Sequence, residues 1–383
     1  ETNLFRDVQT DTLTPSSYEF YDWSIFVRSP DTVKNKLGLS YGQRTDLALD
    51  KSALTKSTVA ENMKMSFGLL RKRDNTLNGS VTYRKLDIEN ADLTSNTADE
   101  SVISRLEHRM KLWKGALTAT TFYQIGSGLE VKREFYYQKI LAEGQGVYEW
   151  IDRDSNGVES LDEFEIAKYQ YNANYIRVYV PTNDYIKTFS TMFNEAFYLR
   201  PSAVWRNSDG FKKFLSRFSN QMTYRVSRKS ENPDLTLSYN PFILNDSVLN
   251  DSATGVVSLL SSFRNIFFFN RTNRHFGADI KYQDTRNKSL LVNGLDSRRH
   301  LLRSIYLRWN INRQFTWNFL YALGVKFNSS EFLSNKDYKI NYVQYEPRVT
   351  YQPNTKLRFT VYYTNENKEN LLMNAVVDLS GDT

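Results

Sequence analysis

The chain has 383 residues, 50 of them basic and 43 acidic, with a net charge of +7 and no cysteine. Without cysteine there are no disulfides and no thiolate metal sites, and so mild a positive charge gives no footing for specific nucleic-acid binding. Mean hydropathy is −0.56, and no apolar run approaches the ~18 residues a spanning helix needs, whereas a transmembrane β-barrel survives that test because half its strand residues are polar.

Residues 1–16 are polar and unpatterned. No charged-then-apolar leader opens the chain, so a signal peptide has been removed or the sequence is a piece of something longer. Tyr21, Trp23, Ile25 and Val27 alternate as a first strand, turned by Ser29-Pro30-Asp31. Leu37, Leu39 and Tyr41 mark a second strand, and residues 50–57 read as a polar loop. Met63, Met65, Phe67 and Leu69 follow, then a tight basic turn at 71–75, then Leu77, Gly79, Val81 and Tyr83. A longer acidic loop covers 87–100, before Leu106, His108, Met110 and Leu112 and a short reversal at Trp113-Lys114-Gly115.

Residues 117–139 read as one long bulged strand, since Gly inside a strand pattern marks a bulge; two strands meeting at Gly126-Ser127-Gly128 is the alternative. Residues 140–183 form a large insertion, with the only hint of helix near 162–171. Tyr185, Phe189, Phe193, Phe197 and Leu199 predict the next strand, 201–210 a turn, and Phe214, Phe218, Met222, Tyr224 and Val226 another strand. A polar loop at 229–255, a strand at 256–269, a turn at 270–273, the alternation Phe276, Ala278, Ile280, Tyr282, and a loop at 287–298 come next.

The clearest pattern lies in 301–327. Phe315, Trp317, Phe319, Tyr321, Leu323, Val325 and Phe327 occupy every second position. Before them Leu301, Ile305, Leu307, Trp309 and Ile311 share one parity, broken by Arg303. Successive strand side chains point to opposite faces, so this hairpin has one greasy wall and one wet wall. The greasy wall needs either a second sheet or lipid against it. After a loop at 328–337, a strand at 338–351 turns at Gln352-Pro353-Asn354-Thr355 into Leu357, Phe359, Val361 and Tyr363.

About fourteen strands thus follow one another. Short turns near 29, 73, 114, 205, 272, 313 and 354 alternate with mostly longer connections near 54, 94, 160, 240, 292 and 333. That rhythm belongs to an outer-membrane barrel, not to a soluble sandwich. Aromatics near strand ends, as at Trp113, Tyr136-Tyr137, Trp309 and Phe315, sit where interface belts lie. The predicted fold is all-β, an antiparallel transmembrane β-barrel in the bacterial outer membrane, contacting lipid and lipopolysaccharide. With long loops outside, both chain ends fall outside too, which predicts a part of a larger barrel with strands before Glu1 and after Thr383.

Residues 152–163 match a twelve-residue, EF-hand-like Ca²⁺ loop. Asp152, Asp154, Asn156 and Glu163 supply hard oxygens at positions 1, 3, 5 and 12. Val158 offers its carbonyl, Ser160 binds directly or through water, and Gly157 permits the sharp turn. Position 8 is Glu159, where an EF-hand carries an apolar residue to pair with a second hand, and no second hand exists. The ion would stiffen a long loop, with weak affinity as in extracellular modules; the bland alternative is a hydrated acidic loop.

The block Gly144-Gln145-Gly146-Val147-Tyr148-Glu149-Trp150-Ile151-Asp152, with Leu161-Asp162-Glu163-Phe164-Glu165-Ile166-Ala167, Tyr175-Ile176-Arg177-Val178 and Pro181-Thr182-Asn183, resembles one found in large uncharacterised outer-membrane β-barrel proteins of Bacteroidota. The resemblance is concentrated in 144–183. It implies a cell-envelope location and a longer parent chain, and no defined activity. Asp11-Thr12-Leu13, Asp31-Thr32-Val33, Asp246-Ser247-Val248 and Asp251-Ser252-Ala253 resemble that phylum's O-glycosylation sequon.

Only His108, His275 and His300 are available for acid–base work, on separate predicted strands, so no catalytic residue is assigned. Arg84, Arg105, Arg109, Lys111, Arg217 and Arg225 on the polar parity either line an anion-attracting lumen or form charge networks with Glu61, Glu107 and Asp279. The expected role is a structural or accessory subunit of a cell-envelope assembly, partnered by other outer-membrane or periplasmic proteins. A transport pore is the alternative.

Overall fold

The structure, a computed structural model, describes residues 1–372 except 15, 52, 73, 142–143, 154, 244–254, 292–293 and 331–336. Two compact units divide the chain: Glu1–Gly128 with everything from Thr188 onward, and Leu129–Lys187. In order the strands are β1 (Thr2–Asn3), β2 (Tyr18–Arg28), β3 (Asn35–Asp50), β4 (Ala53–Lys72), β5 (Asn75–Ile88), β6 (Asp99–Leu112), β7 (Leu117–Lys139), β8 (Tyr148–Trp150) and β9 (Phe164–Ile166). After them come β10 (Tyr175–Leu199), β11 (Phe218–Ser230), β12 (Val256–Phe269), β13 (Phe276–Leu291), β14 (Gly294–Asn310), β15 (Phe315–Ser330), β16 (Tyr338–Tyr351), β17 (Phe359–Tyr362) and β18 (Asn365–Asn370). Three short helices interrupt them: α1 (Ser202–Trp205), α2 (Phe211–Leu215) and α3 (Leu235–Tyr239).

The fold is all-β, and the strand registers found among the described residues are antiparallel. Each long strand pairs with its long neighbours in sequence from β2 to β7, and from β10 to β16, with β7 joined to β10. Both β17 and β18 pair with β16, so together they act as one interrupted strand. Among the described residues thirteen long strands and this interrupted one stand in the row, which matches the expected fourteen or so. Residues 117–139 are one strand running through Gly126-Ser127-Gly128, not two.

Several loop expectations are corrected. Residues 50–57 and 287–298 are mostly strand: β3 and β4 pair up to Asp50 opposite Ala53, and β13 and β14 up to Leu291 opposite Gly294. These hairpin ends carry polar residues on both parities, so the alternation fades while backbone pairing continues. The alternation of short and long connections holds only in part, because on the longer side much of the length is strand. β4 has 20 residues, β7 23 and β10 25. The turn expected at 201–210 holds α1, and Phe214 belongs to α2, not to the next strand. No helix forms over 162–171; 3-10 turns at Leu161–Glu163 and Gln170–Asn172 flank β9.

Burial runs opposite to a water-soluble sheet. On β15, Ala322 is 3% exposed while its outward neighbour Leu323 is 40% exposed. Gly324 lies under the Tyr342 ring, where a Cβ would come within 2.1 Å of it, so a larger residue here would displace that ring. Ile25, Leu39, Met65, Val81, Ile280, Ile305, Tyr321 and Val349 are all exposed, whereas Ser57, Thr58, Thr191, Ser261, Asn328 and Thr350 are buried. Val226, Val256 and Leu259 form one small buried apolar cluster, with Phe193 and Tyr224 against them. Among the described residues no register joins β2 to β17 or β18, and both β2 and β17 are largely exposed.

Residues 231–243, expected as plain polar loop, fold onto the sheet. Arg228 is 3% exposed and donates to the carbonyls of Asn240 (3.0 Å), Ile243 (3.4 Å) and Leu237. Tyr224 donates to Pro241 O at 2.5 Å, Tyr123 to Tyr239 O at 2.8 Å and Thr191 to Ser238 O at 2.7 Å. Phe242 stacks on Tyr224 with ring centroids 5.8 Å apart.

Candidate metal loop and polar cavity

The Leu129–Lys187 unit is built around a short hairpin. Tyr148 faces Ile166, Glu149 faces Glu165 and Trp150 faces Phe164, while Tyr175 opens β10 opposite Tyr148. Aromatic rings fill it: Tyr137 stacks on Phe164 at 4.1 Å, and Tyr148 and Tyr175 meet these edge-on at 5.0 Å. The acidic loop therefore joins two strands, β8 and β9, and not the two helices of an EF-hand.

Its first half is held by its own carboxylate and amide. Asp152 accepts from Asn156 N at 3.1 Å and Gly157 N at 2.9 Å, and Asn156 Oδ1 accepts from Val158 N at 2.6 Å. Gly157 takes φ +70°, the left-handed turn expected of it. Val158 is exposed. Asp154 lies outside the described residues, as do the sequon-like triplets at 246–248 and 251–253.

Its second half is held by Glu163, which is 3% exposed. One oxygen accepts from Trp150 Nε1 at 2.9 Å and Ser160 N at 3.2 Å, the other from Arg153 N at 3.1 Å. Three N–H donors thus balance this buried carboxylate from within the hairpin. The signal was present in Ser160-Leu161-Asp162-Glu163, a capping-box pattern opening the 3-10 turn. Arg153 pairs with Glu165 on the adjoining strand. Glu159, the odd residue for an EF-hand, accepts from Tyr175 OH at 2.6 Å. Burial first, and this carboxylate second, push the Tyr175 phenol up to about 12, so it stays a neutral donor throughout the physiological range.

Asp152, Asn156 and Glu163 are thus drawn into one short hairpin, with Ser160 beside Glu163. Oxygen donors of this kind suit a hard cation in chemistry. Among the described residues no three carboxylate or imidazole groups gather as a metal cluster.

In the other unit, one parity of β11 to β16 lines a mixed cavity of about 540 Å³, with Arg264, Asp279 and Lys281 beside Phe268, Leu302 and Leu320. His300 meets Tyr342 OH at 2.9 Å, and Lys326 lies over the same ring at 5.2 Å. His108 stands on β6 and His275 just before β13.

No protein-family model and no curated protein sequence matches the chain. A solved structure of the ferric-catecholate import receptor Fiu from E. coli K12, in its open form, is similar at a TM-score of 0.29 and 9% identity. The match covers 92% of this chain and 58% of the receptor chain, so this chain spans under two-thirds of that receptor's length.

Proposed function

We propose that this chain is an integral outer-membrane β-barrel segment that serves as a scaffold subunit of a cell-envelope assembly. One observation carries the membrane assignment: large apolar side chains stand uncovered on one parity of consecutive strands while small and polar ones are buried. Water disfavours that arrangement by roughly 25 cal/mol per Å² of apolar surface, and hydrocarbon tails remove the penalty. In this reading the chain belongs among the Bacteroidota outer-membrane barrels its 144–183 block resembles, with the longer connections outside.

The exposure of β2 and β17, which no register joins among the described residues, supports the subunit role. An exposed apolar edge strand such as β2 is a template for pairing, and further strands, from a longer chain or a partner, would complete the wall. The cavity that Arg264, Asp279 and Lys281 help to line favours the second reading, a transport pore. The protein is expected to stay with membranes through alkaline carbonate extraction, and to co-purify with other envelope proteins at fixed stoichiometry without conductance in planar bilayers. A wide, steady conductance would establish the pore instead. Release by carbonate would remove the membrane assignment altogether.

For the 152–163 loop we propose Ca²⁺ held by Asp152, Asp154, Asn156, the Val158 carbonyl, Ser160 and Glu163. The expected dissociation constant is on the order of 10⁻⁴–10⁻³ M, and titration calorimetry should lose the signal in Asp152→Asn. Asp152→Ala with Glu163→Ala should open 140–183 to protease. Protection unchanged by chelator, with no heat of binding in the wild type, would leave Glu163 as a purely internal latch.

A further inference from the structure

We infer that the outward face of β13 to β16 carries a binding site for a phosphorylated glycolipid of the outer leaflet. The inference rests on the membrane assignment above. On three adjacent strands a large aromatic residue begins the outward stripe: Phe276 on β13, Trp309 on β14 and Trp317 on β15, directly opposite one another. Ten residues along each strand, the same face presents Arg286, Arg299 and Phe327, again directly opposite one another, and Lys339 of β16 faces Phe327. Ten residues are roughly 33 Å of strand. At the tilt of outer-membrane strands this is about 25 Å of height, the thickness of the apolar band. The cations therefore stand where the hydrocarbon ends and lipid phosphates begin.

These residues line one cavity of about 330 Å³, together with Lys288, Leu301 and Val325. Lys288 is 4% exposed. Asp284 lies between the two arginines, 2.8 Å from Arg299 and 3.1 Å from Arg286, and orients their forks. Leu301, Val325 and Phe327 give the same cavity an apolar floor, continuous down β15 with Leu323, Tyr321 and Phe319 on the same parity. Cations above an apolar stripe match a lipid standing upright with its phosphate at the top. Arg286 and Lys339 are three strand spacings apart, roughly 14 Å. One phosphate cannot reach both, whereas a disaccharide headgroup phosphorylated at each end can. Arg303 breaks the stripe below the row, beside Tyr282, and its long stem lets the charge rise toward the same headgroup.

The test uses the full chain in phosphatidylcholine vesicles doped with bis-phosphorylated lipid A, the same lipid enzymatically dephosphorylated, or phosphatidylglycerol. Lipid retained after mild detergent extraction is counted by native mass spectrometry. Wild type should retain the bis-phosphorylated form preferentially, and 10-fold excess inorganic phosphate should not displace it. Lys339→Gln should lower retention about fivefold, and Lys339→Gln with Arg299→Gln roughly 25-fold, following the attraction each surface cation supplies. Lys339 is exposed and its replacement leaves both Asp284 pairs in place, so that variant stays informative if the double variant folds poorly. Equal retention of the dephosphorylated lipid or of phosphatidylglycerol, displacement by free phosphate, or wild-type retention by Lys339→Gln would overturn the site. Quenching of tryptophan emission by brominated lipid in the same vesicles separates the two levels. Quenching without selective retention sinks only this site, and no quenching sinks the membrane assignment beneath it.

Discussion

Met65→Arg is expected to lower the stability of the bilayer-inserted protein by about 2–4 kcal/mol, the range for a cation facing lipid at the midplane of an outer-membrane barrel. Met65 lies in a row across four strands, with Val27 opposite Leu39, Leu39 opposite Met65 and Met65 opposite Val81. All four are exposed. The stripe on β4 runs from Met63 through Met65 and Phe67 to Leu69, so the new charge sits within the apolar stretch. Asn78→Arg, on the opposite parity of β5, is the matched control and should change stability by less than about 0.5 kcal/mol. Urea unfolding in vesicles reads both. If water covered Met65, an added arginine would be harmless there too. Equal behaviour of the two variants would therefore show that hydrocarbon does not touch this face.

The parity of the strands was legible because their two faces meet different solvents. From Phe315 to Phe327 the alternation is unbroken, and β15 emerges over those residues, as β12 does over 256–269. Where both faces are polar the signal disappears although the backbone goes on pairing, as at Arg286 opposite Arg299 and Asn287 opposite Arg298. The cationic row was hidden for another reason: its residues lie far apart in the chain, and only the register places them side by side. In the acidic loop the left-handed turn at Gly157 was legible. Its setting was not, because the ligand spacing is silent about whether helices or strands lead in and out. Glu163 illustrates the gap: its type and position fit a cation ligand, yet its nearest partners are Trp150, Arg153 and Ser160 of its own hairpin.

Arg228→Ala should release residues 231–243 from the sheet. Nothing in the sequence marks Arg228, since it alternates on β11 with Ser227 and Lys229 in a run of polar residues. The fold makes it a clamp, because its planar fork reaches several carbonyls of the same short segment at once. The charge-assisted bonds to Leu237 O and Asn240 O, at roughly 1.5–3 kcal/mol each, put the local loss at about 3–6 kcal/mol. Lysine offers one point charge in place of the fork, so Arg228→Lys should recover only part of it. Tyr224→Phe removes a single bond to Pro241 O and should cost about 1 kcal/mol. Amide exchange across 231–243 is the measurement, with exchange in β14 and β15 as the internal reference. Fast exchange confined to 231–243 would mean that the segment docks as a separable cover held by this one side chain. Protection retained in Arg228→Ala would assign the docking instead to the Phe242, Tyr224 and Phe193 rings, and Tyr224→Ala would then become the disruptive change.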